Sequence, residues 1–222
     1  MTKRSKKAGA ATGHRQKRRK AVTRQQLLDA AREVFAEKGL DGTVIDDITE
    51  RADVGKGTFY YHFKGKGHLV KELIKAVLGQ LSDLVRQRCA NQTEIAEILD
   101  SFIQAHIDFF NQRWHDFVLF FQGRADLFLE ESFPGIDTPF LEYLKTIEMV
   151  FDRDHRYNLS AATLRRVACA AAGFVSGYYS FALIATEGEE IQAAFRPLRG
   201  AMVASLERLV KNASSGVPDG SA

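Results

Sequence analysis

Residues Gly42–Leu73 read GTVIDDITERADVGKGTFYYHFKGKGHLVKEL, and the fold turns on this stretch. Thr43 opens a short helical pattern, with Asp46 three positions on in the manner of a capping-box acid. Ile45, Ile48 and Ala52 form its inner face. Asp53-Val54-Gly55 then makes a tight turn, and a second short helix follows from Lys56 to Phe63. Two short helices joined by about four residues, the second rich in polar contact groups, form a helix-turn-helix pattern. A first helix precedes them: from Thr23, residues Leu27, Ala31, Val34 and Phe35 recur on one face, and Gly39 stands where a helix C-terminal residue of left-handed conformation belongs. The glycines and lysines of residues 55–67 also raise the alternative of a phosphate-cradling loop. That motif needs Gly, four residues, then Gly-Lys-Ser/Thr after a strand. Here Gly57 replaces the hydroxyl, Glu50 occupies the upstream position, and no strand pattern precedes it.

The same stretch resembles the N-terminal signature of the TetR family of bacterial transcriptional regulators, through Thr43, Ile48, Ala52, Val54, Gly57, Thr58, Tyr60, His62, Phe63 and Lys66. The resemblance is close over about residues 23–80 and extends beyond only in length and helical layout. It departs from the family pattern at Asp53 for a turn glycine, at Gly55 for a capping serine, and at Gly65 and Gly67 where a cap and an acid are usual. Asp tolerates the left-handed conformation better than most residues. Gly65 and Gly67 locate a pliable joint before the fourth helix. Asp46 occupies a position where some members carry a DNA-contacting arginine, so no contact is assigned to it.

Side-chain chemistry divides the roles in the recognition helix. Phe59 and Phe63, four apart, anchor it to the helices behind. Lys56 and Thr58 point outward to read base edges: lysine suits guanine acceptors, and threonine offers a hydroxyl and a methyl. Gly57 lets the backbone approach DNA closely. Tyr60, Tyr61 and His62 are assigned to phosphates and sugars, with Lys64 and Lys66 adding charge. One of the two tyrosines is alternatively half-buried. Thr43 completes this half of the expected DNA-contacting set.

Charge is distributed unevenly. The chain has 222 residues and a formal net charge of +3, yet residues 1–24 hold ten cations and no acid. The remainder carries 21 cations against 28 acids. Residues 1–22 are therefore expected to be a basic disordered arm. Either the arm solubilises the protein, or Arg18, Arg19 and Lys20 with their neighbours bind phosphates or a minor groove. Cys89 and Cys169 lie far apart without metal-ligand spacing, so neither a disulfide framework nor a metal site is expected. No signal peptide is recognised, and residues 167–186 are uncharged but rich in Ala, Gly and Ser. These features suit a buried helix and a cytoplasmic protein.

Beyond the head, residues 23–68, the pattern Leu69, Leu73, Val77, Leu81 and Leu84 predicts a long helix to about Arg88. A body over residues 69–212 follows, with a disordered tail at 213–222. Its first helix, from Glu94 to about Phe110, turns Ile95, Ile98, Leu99, Phe102, His106, Phe109 and Phe110 inward. A second carries Phe117, Phe120, Phe121 and Arg124. A third begins at Thr138-Pro139 and contains Leu141, Leu144, Ile147 and Phe151. Aromatic stripes of this kind are core more often than ligand box, and His106 taken alone reads as a satisfied core histidine. The family resemblance nevertheless implies an effector cavity in the body. The candidate lining is His106, Phe110, Phe117 and Phe121, with Arg124, Tyr143, Phe174 and Tyr178, suited to a mostly apolar ligand with one polar or acidic end. The last two helices, with small residues at 168–177 and a stripe from Ile191 to Leu209, either pack internally or, as the resemblance implies, pair with a second copy. Pro197 kinks the last helix or marks its start.

The expected protein is all-α, with a helix-turn-helix head, a helical body and a homodimer made through the last two helices. It binds double-stranded DNA at a palindromic operator, needs no cofactor, and is a repressor released when a largely apolar small molecule shifts the helix that starts near Lys66. A DNA-binding regulator without such an effector is the alternative. An α-helical enzyme is the distant one, since no convergent nucleophile, acid–base pair or metal cluster is legible.

Overall fold

A computed structural model describes residues 4–113, 116, 119, 135–185 and 190–214, with side chains at 14–113, 116, 119, 135–181 and 198–214. Eight helices are described: α1 Arg4–Gly42, α2 Ile45–Arg51, α3 Lys56–His62, α4 Lys66–Arg88, α5 Ile95–Gln112, α6 Asp137–Phe151, α7 Ala161–Ala185 and α8 Glu190–Ser214. No strand occurs among the described residues. The all-α expectation holds. The helix expected to carry Phe117, Phe121 and Arg124 lies outside the described residues. The described chain divides into one compact unit through Leu73 and another from Ile74 onward.

In the first unit, α1 bends at Gly39, whose φ of 75° suits a residue without a side chain. The backbone from Arg4 to Val22, expected as a disordered arm, is helical and continuous with the amphipathic part of α1. Its alanines, lysines, arginines and glutamine are strong helix formers, and extending an existing helix avoids the cost of nucleation. Leu27, Ala31, Val34 and Phe35 are buried, and they meet Ile48 of α2 and Phe59 and Phe63 of the recognition segment in one core. Asp53 adopts φ 51° at the turn, the left-handed geometry that its short polar side chain tolerates. Two ion-pair groups tie α2 to α1: Arg51 meets Glu33 at 3.0 Å and Glu37 at 2.7 Å, and Lys38 meets Asp47 at 2.6 Å.

The cap of α2 sits one residue later than expected. Thr43 is buried and its hydroxyl donates to the Gly39 carbonyl at 2.6 Å. Val44 takes the N-cap position instead, and its N–H donates to Asp47 Oδ2 at 2.9 Å. Asp47, not Asp46, is therefore the reciprocal acid. At the start of α4 the His68 Nδ1 reaches back and accepts the Lys64 N–H at 3.1 Å, tying the connecting residues to the first turn.

In the second unit, α5 packs against α6, α7 and α8, while α7 also packs against α6 and α8. The α5 face from Ile95 to Phe110 is buried as expected. On α6 the buried face is Phe140, Tyr143, Ile147, Val150 and Phe151, whereas Leu141 is exposed. Leu141 lies off the stripe because the helix starts at Asp137 and turns Tyr143 inward. Through Pro197, α8 continues as one helix. Met202, Leu206 and Val210 form its buried face, and Leu198 and Leu209 lie outside it.

Asp154 does more for this unit than its position in a loop suggests. Glu94, the N-cap of α5, provides no side-chain cap. Asp154, buried between α6 and α7 in sequence, accepts the Ile95 N–H through Oδ2 at 2.8 Å and satisfies one of the orphan donors of that helix. Arg156 donates to both of its oxygens, from Nε at 2.8 Å and Nη2 at 2.7 Å. These Arg156 bonds, with help from the Ile95 and Arg156 amides, hold the carboxyl at about 2 against the opposing effect of burial. Beside it, Arg153 donates to the Cys89 carbonyl at 2.5 Å, so the same loop secures the end of α4 and the start of α5. Asp154→Ala is expected to lower stability by about 2–3 kcal/mol, because an amide and a guanidinium lose a charged partner. Asp154→Asn, which keeps an acceptor for Ile95, should lose less. Since the folded-state pKa is depressed, the contribution is fully present above about pH 4 and disappears as pH falls toward 2. Chemical denaturation of both variants across that window checks it; equal stability of Asp154→Ala and wild type would remove the clamp.

Candidate functional site

α3 is amphipathic over only seven residues, and its two faces differ sharply. Phe59 is fully buried and Phe63, immediately after the helix, nearly so; their ring centroids lie 5.6 Å apart. On the other face Lys56 and Gly57 are exposed, as are Tyr60 and Tyr61 at 57% and 65%. Nothing lies within 4 Å of where a Cβ on Gly57 would stand, so the backbone there is open to close approach. Thr58 and His62 are half-buried at the margin, and Lys64 is exposed just beyond. The Nδ1 of His62 is out of solvent with no hydrogen-bond partner among the described residues. Burial, and then the nearby charges of Lys20 and Arg24, push its imidazole below the ordinary histidine value.

The basic part of α1 joins this face. Arg18, Arg19 and Lys20 are exposed. The Lys20 ammonium lies 4.5 Å from the centroid of the Tyr61 ring, a cation–π distance. One turn on, Arg24 lies over Phe63 at 5.2 Å and pairs with Glu72 at 2.5 Å. Cations from the arm are thus carried to the end of the recognition helix by the helical phase of α1.

Two of the expected contact residues face inward. Thr43 is the buried hydroxyl already placed on Gly39. Lys66 donates from Nζ to the carbonyls of Leu40 at 2.8 Å and Thr43 at 3.0 Å, closing the C-terminal end of α1. Both positions act on the shape of the head. A residue missing from the expected set is Asp46, whose Oδ1 lies 2.7 Å from Lys56 Nζ. That hydrogen bond and its charge raise the lysine above its ordinary pKa.

In the body, His106, Phe110 and Tyr143 come together. His106 is buried and sits tilted between the rings of Phe102, at 4.2 Å between centroids, and Phe110, at 6.1 Å. Its Nδ1 lies 2.8 Å from the Phe102 carbonyl, an acceptor, so Nδ1 carries the proton. Nε2 is therefore the acceptor for the Tyr143 hydroxyl. Burial pushes the imidazole down to about 4 and the phenol well up, leaving the pair neutral at pH 7. Phe174, 48% exposed, is on the outer face of α7, and Tyr178 is half-buried. The ring that reaches the cluster from α7 is Tyr179, 5.9 Å from Phe110, whose hydroxyl donates to Asn111 Oδ1 at 3.2 Å. Adjacent tyrosines on an uncharged helix leave the phase open in the sequence. Tyr143 also lines a cleft of about 180 Å³ between α4 and α6, together with Lys75, Ser82, Arg86 and Thr146. Among the described residues, no group of acidic, histidine or cysteine side chains has the arrangement of a metal site.

Residues 27–73 match the model of the bacterial regulatory proteins of the tetR family. The uncharacterized HTH-type transcriptional regulator YvdT of Bacillus subtilis is 29% identical over 123 residues, 55% of this chain and 63% of that protein. The HTH-type transcriptional repressor KstR2 of Mycolicibacterium smegmatis is 31% identical over 105 residues, 47% of this chain and 51% of that one. The chain thus matches between about half and three-fifths of the length of these curated relatives. Among solved structures, the transcriptional regulator FadR from Bacillus subtilis in complex with stearoyl-CoA superposes with a TM-score of 0.59 at 19% identity, over 87% of this chain and 98% of that one. The likeness to that structure is one of fold. Over residues 27–73, the head of the chain is similar to the tetR family of bacterial regulatory proteins.

Proposed function

We propose that the protein is a dimeric transcriptional regulator that represses by occupying a palindromic operator. The observation that carries the reading is the two-sided α3, with its rings locked into the head and its lysine, open glycine backbone and tyrosines outward. Cations of α1 lie beside that face, where they meet phosphates while α3 enters the major groove. A second copy pairs through α7 and α8, which leave Phe181 at the surface of one and Leu198 and Leu209 at the surface of the other. Two head copies then read half-sites about 34–36 Å apart, or a multiple of that. Footprinting on the DNA flanking the protein's own gene is expected to show two protected half-sites related by a two-fold axis. Protection of a single unrepeated half-site at saturation would exclude the dimeric reading.

Release follows from a mostly apolar ligand with an acidic end. The structural neighbour solved with stearoyl-CoA holds a ligand of this chemistry, and here the cleft beside α4 offers Lys75 to an anionic head, with Arg86, paired to Asp83, and Glu142 also on its wall and Tyr143 linking that wall to the ring cluster. The ligand must favour the conformer that DNA does not, since equal affinity for both shifts nothing. Long-chain fatty acids and their CoA thioesters are the probes. An effective member of the series weakens operator binding by about 5–150-fold, the usual range of allosteric coupling.

A further inference from the structure

Asp46 and Lys56 form an ion pair between the two helices of the DNA-reading motif, Nζ to Oδ1 at 2.7 Å, with both side chains 60% exposed. An exposed pair of this kind adds little to stability. It stands at the first residue of α3, beside the open backbone of Gly57, on the face that the proposed function places against the major groove. Resting on that reading, we infer that Asp46 and Lys56 act as one composite reader of a single base pair in each half-site, one that sets an acceptor beside an amino donor in a fixed strand order, as G·C and T·A do.

The chemistry of the base pair matches the pair of side chains. In the major groove guanine presents acceptors and cytosine presents the N4 amino donor. Guanine O6 and cytosine N4 are themselves hydrogen-bonded, about 2.9 Å apart, and each keeps one unused lone pair or hydrogen pointing into the groove. An ammonium and a carboxylate 2.7 Å apart present the complementary donor and acceptor at nearly the same spacing. Lysine donates to O6 while Asp46 accepts from N4. A T·A pair presents thymine O4 and adenine N6 in the same order, whereas in C·G and A·T pairs the order is reversed and the carboxylate meets a carbonyl. Asp46 also shields the first turn of α3 from indiscriminate use. That turn has no acid of its own and carries an exposed lysine, which by itself attracts any phosphate. With the carboxylate in place, phosphate binding there meets repulsion, and only a groove that offers an amino donor beside an acceptor satisfies both partners.

The test is selection of binding sites from randomised duplex DNA by the full chain, compared among wild type, Asp46→Asn and Lys56→Gln. Wild type is expected to select half-sites with one position held to G·C or T·A, with C·G and A·T rejected there. Both variants should lose the preference at that same position, by about 5–150-fold per site, the discrimination typical of one good bidentate contact. Asp46→Asn should in addition bind unselected DNA more tightly, while Lys56→Gln should not. Retention of the full preference by Asp46→Asn overturns the composite reader and leaves the regulator reading standing, as does loss at two different positions. Failure of the wild type to select any DNA overturns the regulator reading, and the inference falls with it. Thermal unfolding of the variants separates both outcomes from misfolding, since the two side chains are exposed.

Discussion

Phe59→Ala is expected to remove about 3–5 kcal/mol of stability, the usual cost of truncating a fully buried phenylalanine. The ring is the pin of the head: it has no exposed surface, touches Phe63 and Tyr60 with centroids 5.6 Å and 5.5 Å away, and anchors the only turns of α3. A seven-residue helix has no independent stability and forms because this burial holds it. Total stabilities of about 5–15 kcal/mol leave little after such a loss. The head should therefore melt at lower temperature, and specific DNA binding should fail. Tyr60→Ala is the control, because an exposed ring one residue away leaves stability within about 0.5 kcal/mol while still reducing affinity. Calorimetry and DNA titration together decide the matter. Equal destabilisation by the two substitutions would mean that α3 is not held by its inner face.

Removal of residues 1–20 is expected to have the largest effect on binding itself. The deletion takes away nine cations, and each phosphate neutralised by such a group adds about −0.9 to the slope of log affinity against log salt. If half of the nine reach phosphates, the slope flattens by several units and affinity at moderate salt falls by orders of magnitude. A shorter deletion, to residue 13, retains Lys20 on the Tyr61 ring along with Arg18 and Arg19, and should recover a large share of the binding. Titrations at several salt concentrations read this directly. Unchanged affinity and slope in the longer deletion would make the arm a solubilising tail.

The head was legible because its determinants are local. Periodicities of three and four placed Leu27 to Phe35 and the Phe59–Phe63 pair on buried faces, and Asp53 fits a tight turn by its own backbone tolerance. What escaped were side chains whose partners are set by tertiary structure. Asp154 caps a helix 59 positions earlier in the chain, an association that no spacing encodes. The capping acid of α2 was misplaced by one residue because Asp46 and Asp47 are chemically equivalent in sequence, and only the turn of Thr43 toward Gly39 separates them. In α7 the contrast between faces is weak: alanines, glycines and serines give no strong phase, so Tyr178 and Phe174 were chosen where Tyr179 reaches the ring cluster. The core role of His106 was readable from its apolar neighbours, while its pairing with Tyr143 was not.

Lys66 sets where this protein can be taken apart. Its ammonium ties the first turn of α4 to the carbonyls of Leu40 and Thr43, and the compact unit containing the head continues to Leu73. The glycines at 65 and 67 look like a joint, yet a head cut there depends on the other parent to supply the lysine at position 66 for the Leu40 and Thr43 carbonyls, and it loses the His68 bond to the Lys64 amide. A graft that keeps two turns of α4 with the head carries its own fastenings, so recombination between relatives is tolerated inside a helix and not at the loop that precedes it.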